Sequence, residues 1–212
     1  AGEILGLVGE NGAGKSTLMN IIGGVLPSSA GDIQFDGQRY APESAKSALE
    51  AGIVFIHQEL NLFPNLSIAE NLFISHLPKS NRLFFSKKRL YQRAQDILDT
   101  IGFDIPSTHL VGHLTNAQQQ LVEIAKTLTR APKLIIFEEP TTALSRYEAE
   151  RLFQLIRKLK SEGKSIIYIS HHLEEVLALT DRMMWLRDGN VVSLDPTTNY
   201  DNPRLVREMV GR

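Results

Sequence analysis

Gly9-Glu10-Asn11-Gly12-Ala13-Gly14-Lys15-Ser16-Thr17 decides how this chain is read. The stretch fits G-x-x-x-x-G-K-[ST], and its flanks are those the pattern needs. Glu3-Ile4-Leu5-Gly6-Leu7-Val8 before it is short and apolar, as a buried strand is. Thr17-Leu18-Met19-Asn20-Ile21-Ile22 after it predicts the start of a helix. A strand, a glycine loop and a helix N-terminus together make an anion trap, because successive backbone N–H groups converge and the helix dipole adds partial positive charge. Gly12 and Gly14 let the backbone approach a phosphate with no Cβ in the way. Lys15 can reach β- and γ-phosphates as a mobile charge, and the Ser16 hydroxyl is a candidate Mg²⁺ ligand. All nine residues, Gly9 to Thr17, are candidate nucleotide-binding positions. The plainer alternative is a glycine turn followed by a surface lysine, and the flanking strand and helix weigh against it.

The bulk of the chain narrows the class. Its 212 residues suffice for one large domain or one domain carrying an inserted subdomain. The formal net charge of -1 gives no global field toward nucleic acid or an anionic membrane. The absence of cysteine excludes disulfides, thiolate metal sites and cysteine nucleophiles. No apolar run approaches the ~18 residues of a membrane-spanning helix. The first strand begins almost at Ala1 without an initiator Met. The expectation is a piece of a longer chain, cut just before its phosphate-binding strand.

Strand and helix patterns then alternate. Asp32 to Tyr40 alternates around Asp36-Gly37, a hairpin signal, and 42–51 suits a short helix. Ile53-Val54-Phe55-Ile56 reads as a buried strand ending at His57-Gln58-Glu59. Between about 66 and 114 the texture becomes helical. Ser67 with Glu70 makes a capping box, and Ser86 is expected to cap a helix whose apolar positions are Leu90, Ala94, Ile97, Leu98 and Ile101. Lys87, Lys88 and Arg89 read as the solvated face of that helix. A further helix is predicted over 116–129, with Leu121, Ile124, Ala125 and Leu128 on one face. Leu134 to Phe137 is a strand, 147–160 a helix, Ser165 to Ile169 a strand, 183–192 a second Asp-Gly hairpin, and 203–210 a last helix. Alternating strands and helices imply an α/β fold with a mainly parallel sheet and helices on both faces.

Leu134-Ile135-Ile136-Phe137-Glu138-Glu139-Pro140 is the second informative stretch. An apolar strand ends in two carboxylates at its C-terminal edge, where open α/β sheets bind their ligands. Side chains alternate along a strand, so one carboxylate can face a metal shell through water and the other an attacking water as general base. Behind a phosphate loop this reading outweighs a charged strand end meeting solvent.

With these residues in hand, the chain resembles the nucleotide-binding domain of ABC transporters. Within that family it is most similar to the first ATPase half of tandem-cassette sugar importers of the ribose, galactose and xylose types. The similarity covers essentially the whole length, and the motifs come in the family order. The phosphate loop is followed by Gln58, Leu114-Thr115-Asn116-Ala117-Gln118, Phe137-Glu138-Glu139-Pro140, Thr142-Ala143-Leu144-Ser145 and Ser170-His171. His57-Gln58-Glu59 and Val122-Glu123-Ile124-Ala125-Lys126 add detail in favour of the sugar class. The resemblance implies a P-loop NTPase of ABC ATPase type with a small antiparallel β part. It implies one domain over 1–212, with a helical subdomain of about 66–130 inserted in a RecA-like core of 1–65 and 131–212.

The resemblance also implies roles. Glu139 would be the catalytic carboxylate, His171 the switch residue at the γ-phosphate, and Gln58 a sensor of γ-phosphate and Mg²⁺. Ser16, Gln58 and Glu138 would form the Mg²⁺ shell, partly through water. Leu114, Thr115, Asn116, Ala117 and Gln118 would act on ATP held by an opposing cassette, and 142–145 would touch that cassette. The implied ligands are ATP and Mg²⁺. The implied partners are a second ABC cassette, in the same polypeptide or a homodimer, membrane permease subunits and, indirectly, a periplasmic or extracellular sugar-binding protein, with no nucleic acid. The implied location is the cytoplasmic face of the membrane, peripheral to it. Gln58 also reads as an ordinary strand-end polar residue, and His171 beside His172 as a helix N-terminal pair.

Three departures from the family pattern stand out. Asn116 and Ala117 replace two glycines of the common signature, which points to weaker stabilisation of the opposing nucleotide; Asn is among the residues that tolerate unusual backbone angles. Glu138 stands where Asp is usual, carrying its carboxylate about 1.5 Å further. The third is an expected absence: the adenine-stacking aromatic of the family belongs to a strand upstream of the phosphate loop, and this sequence is expected to start too late to contain it. Two other readings stay open: a cassette that binds ATP as the weakly hydrolysing, regulatory half of a tandem ATPase, and a soluble ABC ATPase outside transport.

Overall fold

The computed structural model describes residues 2–57, 60–74, 86–201, 203–205 and 208. In chain order its elements are β1 (Ile4–Val8), α1 (Lys15–Ile22), β2 (Ile33–Phe35), β3 (Gln38–Tyr40), α2 (Ala45–Ala51), β4 (Ile53–Ile56), α3 (Ile68–Phe73), α4 (Lys87–Thr100), α5 (Asn116–Leu128), β5 (Leu134–Glu138), α6 (Arg146–Ser161), β6 (Ser165–Ile169), α7 (Leu173–Leu179), β7 (Arg182–Arg187) and β8 (Asn190–Pro196). They form two compact units. One takes Ala1–Phe55, Pro132–Glu139 and Ile156–Arg212, the other Ile56–Ala131 and Pro140–Leu155.

The first unit is built on a six-stranded sheet in the order β4-β5-β6-β1-β7-β8. β1 lies parallel to β6 on one side and to β7 on the other, β5 runs parallel to β6, and β8 returns antiparallel to β7. Ile135, Ile136 and Phe137 are consecutive and fully buried. Successive strand residues face opposite ways, so both faces of the sheet are covered at β5. The core joins Leu7, Met19, Ile53, Ile136, Ile169 and Leu186, which ties α1 to the sheet. A Cβ on Gly6 would sit 2.5 Å from the Val176 side chain, so β1 accepts α7 only because position 6 has no side chain. Because β1, β5 and β6 are parallel, their C-terminal ends open on one edge.

Both Asp-Gly turns form as the sequence predicts. Asp36 and Gly37 join β2 to β3, and Asp188 and Gly189 join β7 to β8, with all four residues at positive φ. That is the backbone of the primed turns that match strand twist. Strand β8 runs past the expected end at 192, to Pro196. Helix α2 starts later than expected, at Ala45, because Ser44 and Ser47 make a reciprocal capping box there. Of the helix predicted over 203–210, residues 203–205 and 208 are described and are helical.

The second unit has its own core, in which Ile68 and Leu72 of α3 meet Leu90, Ala94 and Leu98 of α4 and Val122 and Ala125 of α5. The Ser67–Glu70 capping box is present. Ser86 occupies the N-cap of α4 but makes no side-chain bond to it, which corrects the expectation that it caps the helix. Helix α5 is buried more broadly than one stripe, since Gln120, Val122 and Thr127 are enclosed along with Ile124 and Ala125. Leu121 and Leu128 are only half-buried.

Candidate functional site

The phosphate loop leaves β1 and enters α1 through Gly14, which takes a left-handed conformation (φ 102°) at the N-cap. No side chain caps α1, and its first turn holds no acidic residue. The leading N–H groups of this helix are therefore not answered by a side chain, which is the arrangement that suits an anion. The loop is braced from β7 and its turn. A Cβ on Gly9 would lie 2.3 Å from the Leu186 carbonyl oxygen, so only glycine fits there. The Gly189 N–H donates to the Ala13 carbonyl at 3.0 Å. This bracing was not legible in the sequence, where Asp188-Gly189 reads only as a hairpin turn.

Lys15 is half-buried, and its Nζ donates to the carbonyls of Gly9 at 2.5 Å and Glu10 at 2.9 Å. Burial lowers its pKa from the ordinary lysine value, and the Glu139 charge opposes part of that shift. A partly desolvated cation whose hydrogen bonds go to backbone carbonyls is prepared to meet an incoming anion.

A cavity of about 270 Å³ gathers Asn11, Gly12, Gly14, Lys15, Ser16 and Thr17 with Glu138, Glu139, Ile169 and His171. The parallel sheet explains the gathering, because the ends of β1, β5 and β6 share one edge. Gly9, Glu10 and Ala13 complete the loop behind it. Glu138 is the last residue of β5 and pairs in register with Ile169. Glu139 adopts a left-handed backbone (φ 46°), and its N–H donates to the Ile169 carbonyl at 2.9 Å. Such a conformation is uncommon for a residue with a side chain and recurs at functional positions. One carboxylate oxygen of Glu139 accepts the His171 N–H at 3.1 Å, and the other lies 2.8 Å from His171 Nδ1. His171 thus orients the carboxylate through both backbone and ring.

Sequence reading did not foresee the bonds on either side of His171. Ser170 is buried, its hydroxyl accepts the His172 N–H at 3.0 Å, and it donates to Glu175 at 3.3 Å. The fully buried Tyr168 donates to the same Glu175 oxygen at 2.7 Å. The histidine rings lie 4.0 Å apart, with His172 at the N-cap of α7 and His171 before it. Only the two-residue spacing between Tyr168 in β6 and Ser170 just past its end hinted that both side chains reach the same Glu175.

Gln58 lies outside the described residues. Leu114 to Gln118 belong to the second unit. Thr115 is the N-cap of α5, and its capping box with Gln118 has both bonds in place. Asn116 and Ala117 are the first helical residues, and neither has a positive φ. This corrects the idea that tolerance of unusual angles matters at Asn116, since the helix asks for none. In the same unit Ser145 and Glu148 bond reciprocally at the start of α6.

Comparison with known proteins gives the family and the fold. The family model for ABC transporters matches residues 1–142. The chain is 46% identical over 211 residues to the ribose import ATP-binding protein RbsA 3 of Rhizobium meliloti, covering 100% of this chain and 41% of that protein. It is 42% identical over 212 residues to the ribose import ATP-binding protein RbsA of Streptococcus agalactiae serotype III, covering 100% of this chain and 43% of that protein. The chain therefore spans less than half the length of these relatives. Among solved structures, an ATP-binding cassette of an ABC transporter in its ADP conformation superposes with a TM-score of 0.83 at 26% identity, covering 100% of this chain and 89% of that one. A dimeric post-hydrolysis cassette bound to ADP and Pi gives a TM-score of 0.74 at 28% identity, covering 92% of this chain and 86% of that one. The chain belongs to the ABC transporter family, has the P-loop fold of its ATP-binding cassettes, and is similar along its whole length to the ATP-binding proteins of ribose import.

Proposed function

We propose that this cassette binds ATP with Mg²⁺ in the cavity between the phosphate loop and Glu139, and that it hydrolyses ATP to energise import of a sugar. One observation carries the reading: an uncapped helix start without acidic residues, a carbonyl-held Lys15 and a His171-oriented Glu139 line the same cavity. The loop amides and Lys15 bind and neutralise β- and γ-phosphates, and Glu139 takes the proton of the attacking water. His171 holds that carboxylate and reaches the γ-phosphate. Mg²⁺ would be held by Ser16, Gln58 and Glu138, partly through water, and would supply charge neutralisation between the phosphates.

The remaining assignments follow the family. The second unit takes the part of the helical subdomain, with the Leu114 to Gln118 stretch facing ATP on an opposing cassette. The relatives are more than twice as long, which leaves room for that cassette in the same polypeptide. Permease subunits in the membrane, a sugar-binding protein beyond them and a peripheral position at the cytoplasmic face complete the proposal. No helix among the described residues is long and apolar enough to cross a membrane. The names of the relatives favour a sugar importer over a soluble ABC ATPase outside transport. The test is the affinity of Lys15→Ala for a fluorescent ATP analogue. Loss of binding at this cassette is expected, and unchanged affinity would refute the role given to Lys15.

A further inference from the structure

The His171 side chain is 63% exposed, so packing does little to fix it, and its N–H and its ring both reach to Glu139. A side chain so exposed takes its place from its backbone. The backbone on either side of His171 is held by a different carboxylate.

That carboxylate is Glu175, in the first turn of α7. One of its oxygens accepts from the Ser170 hydroxyl at 3.3 Å and from the Tyr168 hydroxyl at 2.7 Å. The Ser170 hydroxyl accepts the His172 N–H at 3.0 Å, and the His172 carbonyl accepts the Glu175 N–H at 3.1 Å. The bonds close a circuit from Glu175 to Ser170, from Ser170 to His172 and from His172 back to Glu175, with His171 between the two residues it ties. A serine hydroxyl has one proton and two lone pairs. Giving the proton to Glu175 leaves the lone pairs for the His172 N–H. Tyr168 anchors the circuit: it is fully buried in β6, which lies inside the sheet between β5 and β1. Ser170 is buried as well. Hydrogen bonds to a carboxylate are about twice as strong as neutral ones, and buried polar networks rigidify the backbone they join. A carboxylate needed only to answer the Tyr168 hydroxyl would have no call to tie the neighbours of His171.

We propose that Glu175 is the positioning residue of His171. Acting through Ser170, it fixes the 170–172 backbone so that the exposed ring stands at Glu139 and the phosphate cavity. Glu175 itself touches no reacting atom. The role rests on the reading of His171 given above.

The test is single-turnover hydrolysis and ATP affinity at this cassette in the full-length protein, with the melting temperature of each variant. Glu175→Ala and Ser170→Ala should each slow hydrolysis about tenfold to a hundredfold, as about 1 Å of misplacement does, with ATP affinity unchanged. Glu175→Gln keeps an acceptor oxygen at the same reach and should recover most of the rate. Ser170→Ala removes a single oxygen and carries the test if Glu175→Ala does not fold. In a His171→Ala background Glu175→Ala should slow hydrolysis no further, because the two act on one step. Wild-type rates in both single variants overturn the proposal, as does a loss that is undiminished in the His171→Ala background. A slow His171→Ala beside fast Ser170→Ala and Glu175→Ala removes the positioning role alone. A His171→Ala protein that hydrolyses at the wild-type rate removes the reading of His171 and the positioning role with it.

Discussion

Glu139 and Glu138 are neighbours with different surroundings, and their substitutions should separate. His171 holds Glu139 from two directions. Glu139→Gln keeps the shape and removes the base, so single-turnover hydrolysis at this cassette should fall by about 10²–10⁴ with ATP binding retained. Glu138 ends β5 in register with Ile169, and its carboxylate is one methylene longer than the Asp usual in the family. Since about 1 Å of misplacement can cost a hundredfold, Glu138→Asp should raise turnover in the assembled transporter; equal or lower turnover would count against a displaced carboxylate. The identities of Lys15, Glu139 and His171 were plain in the sequence because each sits in a motif. The His171–Glu139 pairing was not, since the two are 32 residues apart and meet only because β5 and β6 are adjacent and parallel.

Helix starts were the most legible local structure, because a capping box needs only residues within one turn. The expected Ser67–Glu70 box forms, and a second, which the sequence reading did not name, forms at Thr115–Gln118. Bonds from the Ser67 hydroxyl and N–H hold the Glu70 carboxyl below the ordinary value of 4.5. Its stabilising contribution is complete above that ordinary value and is lost as pH falls through the lowered one. Ser67→Ala should therefore cost about 1 kcal/mol at neutral pH in urea unfolding, and the difference should shrink in acid. Ser86 shows the limit of this reading: a serine in the right place makes no cap bond. The breadth of burial on α5 was also illegible, because the stripe in a sequence records only apolar residues. Gln120 and Thr127 are enclosed without being apolar.

The two units carry separate cores, and among the described residues no group of three His, Cys, Asp or Glu could hold a metal ion. Chelation with EDTA should therefore abolish ATP turnover while leaving the far-UV circular dichroism and the melting temperature unchanged. A fall in melting temperature with EDTA alone would point to a structural metal. The linear chain fixes what nearest neighbours can specify: the phosphate loop, the primed turns at Asp36-Gly37 and Asp188-Gly189, the capping boxes and the apolar strands. Order in space is another matter. The arrangement β4-β5-β6-β1-β7-β8 comes from packing choices among strands of similar apolar character, and no local signal distinguishes them. That order brings the carboxylate of β5 and the histidine after β6 to the loop after β1, and seats the β7–β8 turn against it. Chemistry was written residue by residue; proximity arose from which buried strands lie side by side.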